Sequence, residues 1–246
     1  MSEIVKKITK SRNVLHELLS KEYDTSSLQL YSQNELDKLY SIQVERTDPF
    51  IALGNAISCN FSVNHKLLDS VKLHVFYYNF PEYNSTKSTK FNKSVIQKII
   101  DLYDSDTIKP FDNIILIINE KITESYETIM SNLNESLKLY DFKLLNKMLK
   151  KTNLESRHFR TGFLFDIDSL QVNLLEHDLV PKHEVVRSSE EIENILKKCN
   201  CQLNELPIIK QNDSIARLIL CVSGDICKIT RKNLTSGYYE YYRLCR

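Results

Sequence analysis

The residues in this chain that could hold a metal or attack a substrate are its cysteines and histidines. Cys199-x-Cys201, the more distant Cys221 and Cys227, and the pair His177 and His183 on either side of Val180-Pro181 are the candidates. Zinc sites that can be recognised from sequence carry two ligand pairs, with two to four residues between the cysteines of a pair. Cys199 and Cys201 are one residue too close for that pattern. Cys221 and Cys227 stand in apolar surroundings, one near a helix end and one in a strand. The spacing predicts free thiols instead of a metal centre. It also predicts a histidine hydrogen-bonded to backbone beside a proline turn instead of a ligand. With 4 glycines in 246 residues, the sequence has no Gly-rich phosphate loop, and it contains neither His-Glu-x-x-His nor Gly-x-Ser-x-Gly. No catalytic residue, no metal and no cofactor are therefore expected.

A basic and aromatic cluster carries more information. Between Ile226 and Arg246 stand Lys228, Arg231, Lys232, Arg243 and Arg246 against the single acid Glu240, interleaved with Tyr238, Tyr239, Tyr241 and Tyr242. Arg and Lys pair phosphates and tyrosines stack on bases, so the cluster fits a nucleic-acid surface. Tyr and Arg are equally the favoured anchors of protein–protein contacts. The residues alone leave both readings open.

The background composition limits the rest. Thirty-three basic and 32 acidic side chains give a net charge of +1, which argues against a surface coated in phosphate-binding charge. Asn, Lys, Ile and Tyr are abundant, as in AT-rich coding, so Asn-x-Ser/Thr matches such as Asn84-Ser85-Thr86 are expected by chance. Met1–Lys7 lacks the apolar run of a signal sequence, and no stretch of about 18 apolar residues occurs, so no membrane span is expected. Six cysteines without regular spacing fit a reducing compartment. The expectation is a soluble intracellular protein.

Several elements would position these groups. Ile4, Val5, Ile8, Val14, Leu15, Leu18 and Leu19 recur at helical spacing, with Lys6, Lys7, Lys10 and Arg12 on the solvated side. Ser32 and Glu35 suit a capping box for a helix to Tyr40. Lys72–Phe80 reads as a strand, and Asn113–Asn119 as a strand buried on both faces. Ser94–Tyr103 between them is helical, an order that favours a mixed or parallel α/β sheet. Tyr83–Lys93 reads as an exposed loop. Thr123–Leu133 and Leu137–Lys150 read as two helices, and Phe163–Phe165 as a short apolar patch. After a boundary near Asp168 come a helix capped by Ser188 with Glu191, a short helix capped by Asp213, and strands at Ile226–Thr230 and Tyr238–Leu244.

Read as one string, Leu174–Arg246 resembles the fifth-largest subunit shared by the eukaryotic nuclear RNA polymerases and its shorter archaeal counterpart. The family's His-Glu-Leu-Val-Pro-x-His opening is matched by His177, Asp178, Leu179, Val180, Pro181 and His183. Its Leu-Pro-x-Ile falls on Leu206, Pro207 and Ile209, and its Asp-Pro-x-Ala-Arg on Asp213, Ala216 and Arg217. The ending is matched by Gly224, Asp225, Lys228, Ile229, Arg231, Thr235, Gly237, Tyr242 and Arg243. Two positions depart from the pattern. The family proline is Ser214 here, and a family glycine after the Ala-Arg helix is Leu220, which puts the local turn in question.

The resemblance implies an α/β jaw domain over 1–168, with an inactive restriction-endonuclease-like core, and a small α+β assembly domain over 169–246. It implies docking on the largest polymerase subunit and contact with downstream duplex DNA through the N-terminal domain. His177, Pro181, His183, Arg217, Lys228, Arg231, Tyr242 and Arg243 are the expected assembly-interface residues, with Lys228, Arg231 and Arg243 projecting as one set. Asp213, Gly224 and Gly237 are the expected structural residues. The divergent, lengthened first part points to a large DNA virus, and so to the virion and host cytoplasm, or to the nucleus for a cellular source. Two other function classes compete: a nuclease using the jaw fold, which needs a carboxylate pair and a lysine at one strand edge, and a free-standing nucleic-acid-binding protein.

Overall fold

A strand made of the consecutive apolar residues Ile114–Ile118 needs cover on both faces, and the fold supplies it. The computed structural model describes residues 3–42, 48–83, 85, 90–141, 143, 149, 155–233 and 237–246. The chain divides into two compact units, one of Met1–Tyr140 with Phe159–Val172, the other of Asp141–His158 with Asn173–Arg246. Where the sequence suggested a boundary near Asp168, the first unit runs on through Val172, and the second takes in Asp141–His158 as well.

The first unit holds a five-stranded sheet in the order β1 (Tyr23–Asp24), β2 (Phe61–His65), β3 (Leu68–Tyr78), β4 (Asn113–Ile118), β5 (Gly162–Asp166). β1 to β3 are antiparallel, and β3, β4 and β5 are parallel. Every residue of β4 is buried. Phe76, Tyr78, Ile114, Leu116, Ile118 and Leu164 pack under α3 (Ser94–Asp104) and α4 (Glu124–Lys138), through Val95, Ile99, Leu102, Ile129, Met130, Leu133 and Leu137. On the opposite face, Tyr77 joins its hydroxyl to Ser11 Oγ at 2.9 Å, which fastens α1 (Glu3–Leu19) there. Each such side chain withdrawn from water contributes about 1.5–3 kcal/mol, so the helices on either side are what make this strand stable.

The structure corrects the sequence reading at several points. Arg12 is buried, not solvated: it donates to the carbonyls of Cys59 (2.7 Å) and Gln29 (3.2 Å) and lies over the rings of Phe61 and Tyr31. Helical spacing cannot distinguish this from a solvated arginine, because the groups that satisfy it come from distant segments. Phe91, placed in an exposed loop, is buried against Tyr78 and Tyr126; residues 84 and 86–89 of that loop lie outside the described residues. Leu137 belongs to α4, and Leu144, Leu145 and Met148 of the second expected helix also lie outside them. The α2 capping box (Gln33–Ser41) forms as expected, Ser32 and Glu35 exchanging bonds. β1 (Tyr23–Asp24) and β2 (Phe61–His65) are strands that the sequence expectations do not include.

The second unit holds a four-stranded sheet in the order β6 (Lys182–Val186), β8 (Ile226–Asn233), β9 (Gly237–Cys245), β7 (Ile208–Ile209). β8 is antiparallel to both neighbours, and the two-residue β7 runs parallel to β9. On one face Val186, Ile226, Tyr242 and Leu244 pack with Ile195 of α5 (Ser189–Cys199) and Leu206. On the other, Ile209, Cys227, Ile229 and Cys245 pack with Ala216 of α6 (Ser214–Leu218) and Cys221. Ser188 precedes α5 but makes no side-chain cap, so the expected capping box with Glu191 does not form there.

Leu220, where a glycine was expected, keeps the turn. Its φ is 50°, and the Leu220 and Cys221 amides close back on the carbonyls of Arg217 (3.0 Å) and Ala216 (2.9 Å). That pair of bonds ends a helix in a left-handed residue. Burial of the leucine side chain offsets a conformation that costs an L-residue about 1–2 kcal/mol.

Candidate assembly interface

The expected interface residues lie on or beside the second unit's sheet. Pro181 leads into β6, and the ring of His183 donates from Nδ1 to the Pro181 carbonyl at 2.6 Å, the proline-turn arrangement expected from the sequence. Burial, reinforced by Arg231 and Arg243, holds the His183 pKa below its ordinary value, with Pro181 and Asp213 opposing. His177, by contrast, is exposed, and its Nδ1 accepts from the Leu179 amide. Arg217 lies half-buried on α6.

The ladder separates a set that sequence alone had joined. Side chains alternate faces along a strand, and Lys228 pairs with Tyr242, whereas Cys227 pairs with Arg243 and Arg231 with Tyr239. Arg231 and Arg243 therefore share the His183 and Tyr241 face, and Lys228 stands on the opposite one. The two guanidiniums lie 5.6 Å and 5.2 Å from the Tyr241 ring centre. Contacts of this kind are worth about 0.5–1 kcal/mol each at exposed sites; here they also hold both side chains in place.

Lys228 is instead neutralised. Glu240 takes Lys228 Nζ at 2.7 Å, Lys198 Nζ at 2.9 Å and the Tyr242 hydroxyl at 2.6 Å. The Lys228 bond, then those of Tyr242 and Lys198, lower the Glu240 pKa to about 2. The Tyr242 ring is buried in the α5-side core and does not stand on the surface.

The expected structural residues have definite roles. Asp213 Oδ1 accepts from the Ile215 (2.9 Å) and Ala216 (3.3 Å) amides and starts α6. Gly237 has φ +76°, and nothing among the described residues lies within 4 Å of a Cβ placed there, whereas Gly224 has φ +94° and a Cβ there would collide with the Arg157 guanidinium. Thr235 lies outside the described residues.

That collision marks a centre the sequence reading missed. Asp225 is fully buried and meets His158 Nε2 at 2.8 Å, Arg187 Nε at 3.5 Å, Arg157 Nε at 3.6 Å and the Val222 amide at 3.1 Å. Burial raises its pKa; His158, Arg187 and Val222 outweigh that and leave it lowered. A carboxylate followed at once by buried Ile226 and Cys227 was the available signal, since a charge in apolar surroundings needs partners. Which partners was not readable, because His158 lies 67 residues away. Of the cysteines, Cys199 is exposed, Cys201 half-buried, and Cys221, Cys227 and Cys245 are buried; all are free. Among the described residues no cluster of three or more His, Cys, Asp or Glu is arranged to hold a metal.

Comparison with known proteins assigns this stretch. Residues 172–245 match the family model described as RNA polymerase Rpb5, C-terminal domain. The DNA-directed RNA polymerase subunit Rpo5 of Archaeoglobus fulgidus is 49% identical over 75 residues, 30% of this chain and 97% of the relative. Rpo5 of Methanosarcina mazei is 44% identical over 72 residues (29% and 91%), and that of Thermococcus kodakarensis 42% over 74 (30% and 89%). The chain belongs to the Rpb5/Rpo5 family of RNA polymerase subunits. The match uses up nearly the whole of each archaeal relative, so β6 to β9 with α5 and α6 form the shared part of this Rpb5-type chain. Asp141–His158, which supplies Arg157 and His158 to Asp225, precedes the matched stretch.

Proposed function

We propose that this chain is a non-catalytic subunit of a multisubunit DNA-directed RNA polymerase, docked on the largest subunit through the face of its second sheet that carries His183, Arg231, Tyr241 and Arg243. The observation that carries the reading is the match to nearly complete archaeal Rpo5 subunits over the stretch that builds this face. The face supports a protein contact because its two arginines are held by Tyr241 in a preset arrangement, the kind of anchor that dominates interfaces. The first unit, a mixed sheet covered by helices, is proposed to lie along downstream DNA as the jaw. Its length and the AT-biased composition support a large DNA virus as the source, with the protein in the virion and host cytoplasm.

Co-purification tests the docking. The double variant Arg231→Glu with Arg243→Glu is expected to lose the largest subunit while its thermal unfolding stays near that of the parent chain. Lys228→Ala, on the other face, is expected to retain it. Undiminished recovery by the double variant would overturn the assignment of this face.

A further inference from the structure

Among the described residues, β9 has one edge paired along its length and one left largely open. β7 contributes only Ile208 and Ile209, opposite Leu244 and Cys245, so the edge of β9 from Gly237 onwards runs past the end of its neighbour. Hydrogen bonds show which groups look that way. The amides of Leu244 and Arg246 donate to Pro207 (2.8 Å) and Ile209 (3.0 Å), while that of Cys245 donates to Asp225 (2.8 Å) on the other side. Strand backbones alternate in this sense, so the N–H and C=O groups of Tyr238 and Glu240 point out of the open edge.

Proteins usually blunt such edges with proline, lysine, a bulge or a cover. Between Gly237 and Arg243 there is neither proline nor lysine, and the β8–β9 register runs without a bulge. The one acid, Glu240, is tied to Lys228 and Lys198. Tyr238 is 71% exposed. On the opposite face, Arg231 and Arg243 rest on Tyr241, and among the described residues neither forms an ion pair with a carboxylate.

We propose that the open edge of β9 at Tyr238–Glu240 receives an extended segment of the partner polypeptide as an added strand, with acidic side chains at alternate positions meeting Arg231 and Arg243. The inference rests on the docking reading above and specifies its mode. An added strand satisfies main-chain groups along its length and sets specificity through alternate side chains. The two arginines suit carboxylates, since Arg forms bidentate bonds to them. A nucleic acid offers phosphates to the arginines but no alternating N–H and C=O groups for the edge.

The test is residue-resolved amide exchange on the full chain, free and co-purified with the polymerase, alongside two variants at one position. Amides 239 and 241 face β8 and are expected to be protected in both states. Amides 238 and 240 are expected to exchange freely alone and at least about tenfold more slowly in the complex. Glu240→Ala keeps the edge amide and is expected to retain the largest subunit; Glu240→Pro removes it without touching a β8–β9 bond and is expected to lose most recovery. Unprotected amides 238 and 240 in an intact complex overturn the added strand and leave the docking reading standing, even if Glu240→Pro fails to fold. Protection that disappears on nuclease treatment identifies nucleic acid on the edge and also overturns the proposal. Failure of the parent chain to recover the largest subunit overturns both.

Discussion

β4 in the first unit and β9 in the second are both central to their sheets, yet they are stabilised differently. β4 lies between two parallel partners with helices over both faces, and all six of its residues are buried. β9 buries Tyr242, Leu244 and Cys245 at one end and is exposed from Gly237 to Glu240. The first sheet relies mainly on apolar burial at its centre, with Asn113 of β4 and Tyr77 of β3 as hydrogen-bonded exceptions. The second, drawn from a stretch near the lower size limit for an independent core, adds a cluster of charges around the fully buried Asp225 and leaves half of its hairpin for contacts outside itself. A strand sealed on every side serves as core; one sealed at a single end can serve as an interface.

The largest expected effect tests the charge cluster. Asp225→Ala leaves Arg157, Arg187 and His158 facing a buried void, and removal of one partner from a buried ion pair costs about 3–5 kcal/mol. Denaturant unfolding should show the second unit melting far earlier with the first unit's transition in place. Equal loss in both transitions would show that the units do not unfold separately. The complementary cut is Leu116→Ala, expected to cost about 2–5 kcal/mol and to lower the first unit's transition.

Acid should distinguish the units next. The Asp225 pKa is lowered on folding, so its contribution is fully present above the ordinary aspartate value of about 3.9 and fades as pH falls towards the folded value. In that window the second unit's stability should rise with pH by up to about 1.4 kcal/mol per unit for this one group. Urea midpoints across the acid range check it, and Asp225→Asn should flatten that part of the slope. The smallest effect concerns Asn200, which ends α5 at φ 48°. Asn200→Ala should cost about 1 kcal/mol because alanine tolerates the left-handed region poorly, and Asn200→Gly should not destabilise.

Legibility followed the range of the interactions. The Ser32–Glu35 box and the Asp213 cap depend on neighbours a few positions away and are readable from spacing, and β4 is readable from its unbroken apolar run although the elements that cover it are remote. The Ser188 cap was read in the same way and does not form, since a capping pattern permits the bond without requiring it. Arg12 and Phe91 look solvated from spacing alone because what buries them is remote in sequence. Lys228, Arg231 and Arg243 look equivalent in a basic stretch; only the strand pairing shows that one faces Glu240 and the others Tyr241.

The sequence by itself determined the family, through motifs spread over Leu174–Arg246, and the element types wherever periodicity or a cap was local. Only the tertiary structure decided that Asp225 gathers His158, Arg157 and Arg187, that Lys228 leaves the arginine face, and that β7 stops short along β9. Each of these depends on register and chain crossings between distant segments, which residue spacing does not encode.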